Sequence, residues 1–476
     1  MKSYLVVALL LIADAIFAQE WVDTLYQIQK TSNVLYGTAL DFAGTERPLK
    51  MDICVPTNDI PPVCGRPLLV AIHGGAFLAG NKESEAPPRW MSDFAKRGYV
   101  AASVSYRLGM FQTNALVNCN ISAFGTPWNC LNMQDTSEWY RASYRGMQDV
   151  KGAIRFLVNQ AAQYQIDPRN VFLAGESAGG FIALSTAFLD DPSEKPIPCG
   201  DLTKVLPPNQ IYENQCIQQP GLATSVAAMN LTRPDLGKIE GSLNPSGVTY
   251  FVKGVGNFYG GMWSNLFAKT NSQPQPVLYL YHQPNDLVVP FDSDNLYQGA
   301  AACYTQWPAN CGWIINRPKV FGSKGIKRMI DEQVNLGQAA PKYLYDVTNN
   351  VADCLGQLAD PSKAGHSIDN YGLRSKNMAA FFAKAIDKSN SCISSATALE
   401  VTDDLIIYPN PAQADVLFFS TTATVETVEL FDLRGVLLHR FPQVIAQKVL
   451  LPQLAAGIYL LKITTDRGEK VVKLAR

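Results

Sequence analysis

The chain has almost no net charge, few histidines and no apolar run long enough to cross a bilayer. Forty Lys and Arg against 41 Asp and Glu leave a formal charge of −1. That balance lacks the electrostatic footprint that nucleic acid or an anionic membrane surface requires. Only four histidines are present: His73, His282, His366 and His439. None is spaced from another as a ligand pair, and no Cys-x-x-Cys occurs, so no metal and no cofactor is expected. There is no internal repeat and no low-complexity tract, which argues against solenoids and propellers.

What is present starts with an export signal. A basic start, Met1-Lys2-Ser3-Tyr4, leads into the apolar run Leu5 to Ile12, and small Ala18 precedes Gln19. Residues 1–18 are expected to be a secretory signal peptide. Ten cysteines behind such a signal point to disulfides formed in an oxidising compartment. The pairing is not fixed by sequence. Nearest neighbours would join Cys54 with Cys64, Cys119 with Cys130, Cys199 with Cys216 and Cys303 with Cys311, leaving Cys354 for Cys392.

At 476 residues and 47% hydrophobic composition the chain can bury a large core. Leu49 to Ile53 alternates, and Leu68 to Ile72 is continuously apolar, so both read as strands, the second buried on both faces. Tyr99 to Val104, Val171 to Ala174, Gln275 to Tyr281 and Tyr343 to Val347 are further strand candidates. Asp149 to Leu157 has helical spacing, and Asn377 to Ile386 predicts a terminal helix. Strands alternating with helices imply an α/β fold with a mainly parallel, doubly wound sheet. Long stretches rich in Pro, Gly and Asn, 190–260 and 293–365, read as irregular lid insertions. After Cys392 the composition changes to short β-rich segments, Val416 to Phe419, Thr427 to Phe431 and Gly457 to Ile463, separated by the turns 432–435 and 466–468. This pattern predicts a small antiparallel β-sandwich. The expected division is 1–18 signal peptide, 19–392 catalytic domain, 393–403 linker and 404–476 sandwich.

The chemistry concentrates in Gly175-Glu176-Ser177-Ala178-Gly179-Gly180, between a strand and an apolar helix. A G-x-S-x-G there is a nucleophile elbow: side chains at 175 and 179 would strike the neighbouring backbone, while the Ser177 hydroxyl is thrust clear. His73-Gly74-Gly75-Ala76-Phe77 closes the apolar strand before it. Its small residues let backbone N–H groups approach a developing oxyanion. Gly75, Ala76 and Ala178 are the expected donors, with Gly74 as the alternative. Ser177 needs a base, and His366, late in the chain, fits the order Ser, acid, His. Asp286, in the turn after a strand, is the expected acid, with Asp292 and Asp294 as rivals. Glu176 is expected to make a structural contact behind the nucleophile, and Arg107, Arg145 and Asp149 a supporting ion pair. Trp128, Trp139, Trp263 and Trp313 read as core packing or as pocket lining.

Taken together, His73 to Phe77, Tyr106-Arg107-Leu108, Gln148-Asp149 with Arg155-Phe156-Leu157, Phe172 to Gly180, Asp286 to Pro290 and Gly365-His366 resemble the type B carboxylesterases and hormone-sensitive-lipase-like members of the α/β-hydrolase superfamily. The end of the chain is similar to the type IX secretion sorting domain of Bacteroidota, through Tyr408 to Ala412, Phe431 to Gly435, Gly457 to Leu460 and the basic end Lys470 to Arg476. The resemblances imply a secreted or surface-attached serine carboxylic-ester hydrolase that passes the periplasm and engages the secretion machinery through its C-terminal domain. An environmental ester is the implied substrate: a short-chain acyl ester, a polysaccharide acetyl or feruloyl ester, a lipid or a polyester. Two other classes are weighed, a serine peptidase of the prolyl-oligopeptidase kind and a non-catalytic binding module on a hydrolase fold. The His73 to Ala76 segment argues against the first, and the presence of both Ser177 and His366 against the second.

Overall fold

A computed structural model describes residues 20–111, 136–203, 215–216, 222, 224, 232–267, 275–300, 317–349, 351–388 and 405–476, apart from single residues and short turns in the last two ranges. The expected signal peptide 1–18, the linker 393–403, the turn residues 433–435 and 466–467, Trp128, Trp313, Cys119, Cys130, Cys303, Cys311 and Cys392 lie outside the described residues. The chain divides into two compact units, Met1–Ile393 and Ser394–Arg476.

The first unit is built on an eight-stranded sheet of β1 (Gln27–Leu40), β2 (Glu46–Thr57), β3 (Arg66–Ile72), β4 (Val100–Val104), β5 (Ile166–Glu176), β6 (Val252–Phe258), β7 (Val277–His282) and β8 (Tyr343–Val347). Their order in space is β1-β2-β4-β3-β5-β6-β7-β8. The β1/β2 and β2/β4 pairs are antiparallel, and every other pair is parallel. The period-2 alternation of a strand sends Leu68, Val70 and Ile72 of β3 to one face and Leu69 and Ala71 to the other. Each face is covered. Helices α1 (Pro87–Lys96) and α5 (Tyr371–Ala383) pack Trp90, Phe94, Met378 and Phe382 on the Leu69 face. Helices α2 (Ser137–Asn159), α3 (Ala178–Phe188) and α4 (Ser323–Asn335) pack Met147, Ile182 and Ile326 on the other. This is the α/β-hydrolase arrangement.

The stretches read as irregular are less irregular than expected. Within 190–260 lies β6, whose glycines hide its strand character from a propensity argument. A side chain at Gly256 would meet Met378 Sδ of α5 at 2.3 Å, so the helix packs closely over the strand there. Within 293–365 lies α4, with Ile326, Met329, Ile330 and Gln333 buried along one face. The last helix starts at Tyr371, earlier than expected, because the Asn370 side chain caps it by accepting the Leu373 amide at 3.2 Å.

Two of the nearest-neighbour cysteine pairings are wrong. Cys54 and Cys199 are free, buried thiols. Cys54 lies in the apolar cluster beneath α1, and Cys199 is fully buried beside α2. Burial pushes the two thiols up to about 11 and about 12. Cys64 and Cys354 each take part in a disulfide.

The second unit holds two antiparallel sheets. The smaller joins β9 (Ile406–Tyr408), β10 (Val416–Ser420) and β13 (Lys448–Leu450), and the larger runs β12 (Leu437–Phe441), β11 (Val425–Phe431), β14 (Ile458–Thr465), β15 (Gly468–Ala475). Leu417, Phe419, Val428, Leu430, Leu461 and Ile463 fill the space between them. It is a β-sandwich.

Candidate active site

The elbow sits where β5 hands over to α3. Ser177 has φ 51° and ψ −122°, a strained conformation for a residue with a Cβ. Close packing imposes it: a Cβ on Gly175 would lie 2.1 Å from Gly179 O, and one on Gly179 would lie 2.2 Å from Ile72 O. The Ser177 amide donates to Phe258 O of β6 at 2.9 Å. The side chain is left half-buried, open to one side.

Three residues that are remote in sequence meet here. Ser177 Oγ lies 2.8 Å from His366 Nε2, and His366 Nδ1 lies 2.7 Å from Asp286 Oδ2. Asp286 is buried in the turn after β7, and its Oδ1 accepts the amides of Val288 at 2.7 Å and Val289 at 3.0 Å. Burial would raise this carboxyl, but His366 and His282 beside it outweigh that and hold it below its ordinary range. The rival acids lie elsewhere. Asp292 pairs with Lys324 at 3.0 Å and Arg328 at 2.6 Å, and Asp294 is exposed. The two loops of the dyad are tied together by Leu287 N donating to Ala364 O at 2.9 Å.

The segment after β3 turns sharply beside the serine. Gly75, Ala76 and Phe77 all have positive φ, 95°, 54° and 62°, so three residues share a left-handed turn that only the glycine adopts without strain. A Cβ on Gly74 would come within 3.2 Å of Ser177 Cβ, which fixes how near the turn passes. The amides of Gly75, Ala76 and Ala178 donate to no other described residue. Such amides can receive an anionic oxygen.

The supporting roles of Tyr106 and Tyr259 were not foreseen, whereas a structural contact by Glu176 and an ion pair at Arg107 and Asp149 were. Tyr106 Oη lies 3.0 Å from His73 O and 3.2 Å from Gly74 O, and its ring stacks on His73 with centroids 4.3 Å apart. Tyr259 packs edge-on against His366, 4.5 Å between centroids, and its hydroxyl donates to Glu176 Oε2 at 2.8 Å. Glu176 Oε1 accepts the Ala86 amide at 3.1 Å, and burial raises this carboxyl well above its ordinary range. Arg107 grips Asp149, with Nη2 2.6 Å from Oδ1. Arg145 does not join that pair. It donates to Gly109 O at 2.9 Å, and burial pulls it down to about 10. Trp139 is a core residue, while half-buried Trp263 stacks on Phe181 of α3 at 4.5 Å.

Residues 51–118 and 140–225 match the family model described as BD-FAE, and residues 406–475 match that of the Secretion system C-terminal sorting domain. Carboxylesterase 3B of Mus musculus is 32% identical over 149 residues, 31% of this chain and 22% of that protein. The para-nitrobenzyl esterase of Bacillus subtilis (strain 168) is 29% identical over 145 residues, 30% of this chain and 26% of that protein. Part of the first unit is thus similar to carboxylesterases, and the end of the chain to a secretion sorting domain. The alignments of the carboxylesterase-like unit thus span about a quarter of the length of these curated relatives. Among solved structures, a truncated carbohydrate esterase from gut microbiota covers 76% of this chain and 98% of its own, at 16% identity and a TM-score of 0.38. Thermogutta terrifontis esterase 2 in its apo form covers 75% and 93%, at 15% identity and a TM-score of 0.37.

Proposed function

We propose that the carboxylesterase-like unit is a serine ester hydrolase working through an acyl-enzyme on Ser177. The observation that carries this reading is the unbroken line from Ser177 Oγ to His366 Nε2, 2.8 Å, and from His366 Nδ1 to Asp286 Oδ2, 2.7 Å. A serine hydroxyl is a poor nucleophile until a base takes its proton. His366 removes that proton as Oγ attacks the ester carbonyl, and Asp286 holds the ring in the tautomer with the free Nε2 lone pair. Charge arriving on the carbonyl oxygen meets the amides of Gly75, Ala76 and Ala178. His366 then gives its proton to the departing alcohol. Water, activated by the same imidazole, releases the acid and restores Ser177. Strain at Ser177, Ala76 and Phe77 supports the reading, since strained backbone persists where it is over-determined by its surroundings.

The tail match supports export through a type IX system, after the signal at residues 1–18, to the cell surface or medium of a Bacteroidota bacterium. The substrate is then an ester met outside the cell, of a short acyl chain, a decorated polysaccharide or a polyester. The test is hydrolysis of p-nitrophenyl esters from acetyl to palmitoyl by the chain lacking residues 1–18, beside Ser177→Ala. Hydrolysis of short esters is expected in the parent and a loss of at least about a thousandfold in the variant. Fluorophosphonate labelling of the parent but not of Ser177→Ala is expected as well. A folded parent that neither hydrolyses nor labels would leave a binding role on a hydrolase fold.

A further inference from the structure

The buried side of the dyad holds a group that this mechanism leaves unused. β7 ends on His282, which is fully buried. Its Nε2 lies 3.1 Å from Asp286 Oδ2 and 3.1 Å from Val289 O. On the other side of the ring the Ser323 amide donates to Nδ1 at 3.4 Å, with Ser323 Oγ at 3.2 Å. An amide N–H can only donate, so Nδ1 offers its lone pair and the ring proton sits on Nε2. Asp286 therefore receives four N–H groups: two imidazoles on Oδ2 and two amides on Oδ1.

The chain of contacts does not stop at Ser323. Asn257 Nδ2 reaches Ser323 Oγ at 3.5 Å and donates to Gly260 O at 3.3 Å. Gly260 lies against the elbow helix, so that a Cβ there would meet Gly180 Cα at 2.7 Å. Asn257, His282 and Ser323 are all fully buried, so these bonds are not exchanged with water.

We propose that His282 is a positioning residue for the triad acid: its Nε2–H pins one oxygen of Asp286 toward His366 and ties that oxygen, through Ser323, to the packing around the elbow. The proposal rests on the esterase reading above. Among the described residues His366 and His282 hydrogen-bond to the carboxylate, while Tyr259, whose hydroxyl is given to Glu176, and Tyr297 lie within electrostatic reach of it, both hydroxyls pushed far up by burial. Arg317 stands beyond Tyr297, and the Phe291 ring packs edge-on against His282 at 5.5 Å without bringing charge. A donor to the carboxylate favours the pair without its extra proton, neutral His366 beside anionic Asp286. Without that donor the pair takes up its proton at higher pH, and the unprotonated base that hydrolysis requires is lost sooner on acidification.

The experiment compares pH profiles of kcat/KM on a short p-nitrophenyl ester for the full chain, His282→Phe and His282→Gln. Phenylalanine keeps the ring and removes both nitrogens, whereas glutamine offers an N–H to Asp286 and a carbonyl to the Ser323 amide. The acidic limb of His282→Phe is expected to move up by about one pH unit, and His282→Gln to return it toward the parent position. A His282→Phe profile scaled down equally at every pH, or unchanged, would overturn the proposal, since a purely structural loss does not move the limb. The parent protein supplies a reading that needs no variant to fold. Imidazole 15N shifts are expected to show His282 protonated at Nε2 alone across the active pH range, and the opposite tautomer sinks the idea. Fluorophosphonate labelling run beside these measurements separates the two failures: an unlabelled parent ends the esterase reading, while the tautomer still judges the hydrogen bond.

Discussion

Burial of His73 beside the turn at Gly75 to Phe77 pulls its imidazole from 6.5 down to about 4, because the charged ring would lose its water and gains only the Gly74 carbonyl. The sign of the consequence follows from proton binding. Between those values the unfolded chain binds a proton that the folded chain refuses, so the contribution is intact above pH 6.5 and lost as pH falls toward 4. A shift of that size is worth about 3 kcal/mol. Urea denaturation at pH 7 and pH 4 is expected to show a steeper loss of stability for the parent than for His73→Gln by about that amount. Equal losses would mean that the ring is hydrated in the folded state. Tyr106 adds to the same rigidity, since its ring stacks on His73 and its hydroxyl reaches the His73 and Gly74 carbonyls that lead into the turn.

Among the elements, α5 and the loop before it decide where the base stands. Arg374 reaches back from α5 to Asp369, with Nε 2.9 Å from Oδ1 and Nη2 2.9 Å from Oδ2, and across to Asp346 of β8. Tyr281 of β7 adds two ties: its hydroxyl donates to Ser367 O at 3.2 Å and accepts the Asp369 amide at 3.0 Å. His366 thus hangs from a loop strapped to two strands and a helix. The Arg374 guanidinium holds the Asp369 carboxyl well below the usual carboxylate range. That stabilisation is present above the ordinary carboxylate range and is lost as pH falls through the lowered value. Arg374→Met leaves Asp346 and Asp369 facing one another unneutralised. It is expected to cost about 2 kcal/mol, less than a fully buried pair because Asp369 is partly in water. Because the strap positions the base, kcat is expected to fall about tenfold with KM little changed. Stopped-rate kinetics and thermal melting read the two effects separately, and an unchanged kcat in a destabilised variant would detach the strap from the site.

For the whole molecule, the two compact units each carry their own core, Leu68 and Phe172 among the residues of the first and Leu417 and Leu461 among those of the second. A hydrophobic core that is complete within a unit lets that unit fold alone. A chain ending at Ile393 is therefore expected to keep the hydrolytic rate of the full chain and one of its melting transitions. Calorimetry of the full chain should show a second transition that the shorter chain lacks. Loss of hydrolysis on removal of residues 394–476 would assign the sandwich a part in catalysis.

Local pattern was enough for the features whose physics is local. A tight strand-to-helix turn demands Gly175 and Gly179 around Ser177, a buried parallel strand demands the apolar run Leu68 to Ile72, and a half-buried sandwich strand demands the alternation seen from Val425 to Phe431. His366 could be chosen from sequence because histidines are so few. The choice among Asp286, Asp292 and Asp294 needed the tertiary structure, since the distance that separates them is set by loops 80 residues apart in the chain. The same holds for β6, a glycine-rich strand paired on both sides with β5 and β7, and for Cys54 and Cys199, which are buried free thiols. From the sequence alone His282 is only the residue that follows the apolar run Gln275 to Tyr281. Only folding brings Asp286, Ser323 and Asn257 around it in a buried volume, where its two ring nitrogens find their partners inside the protein.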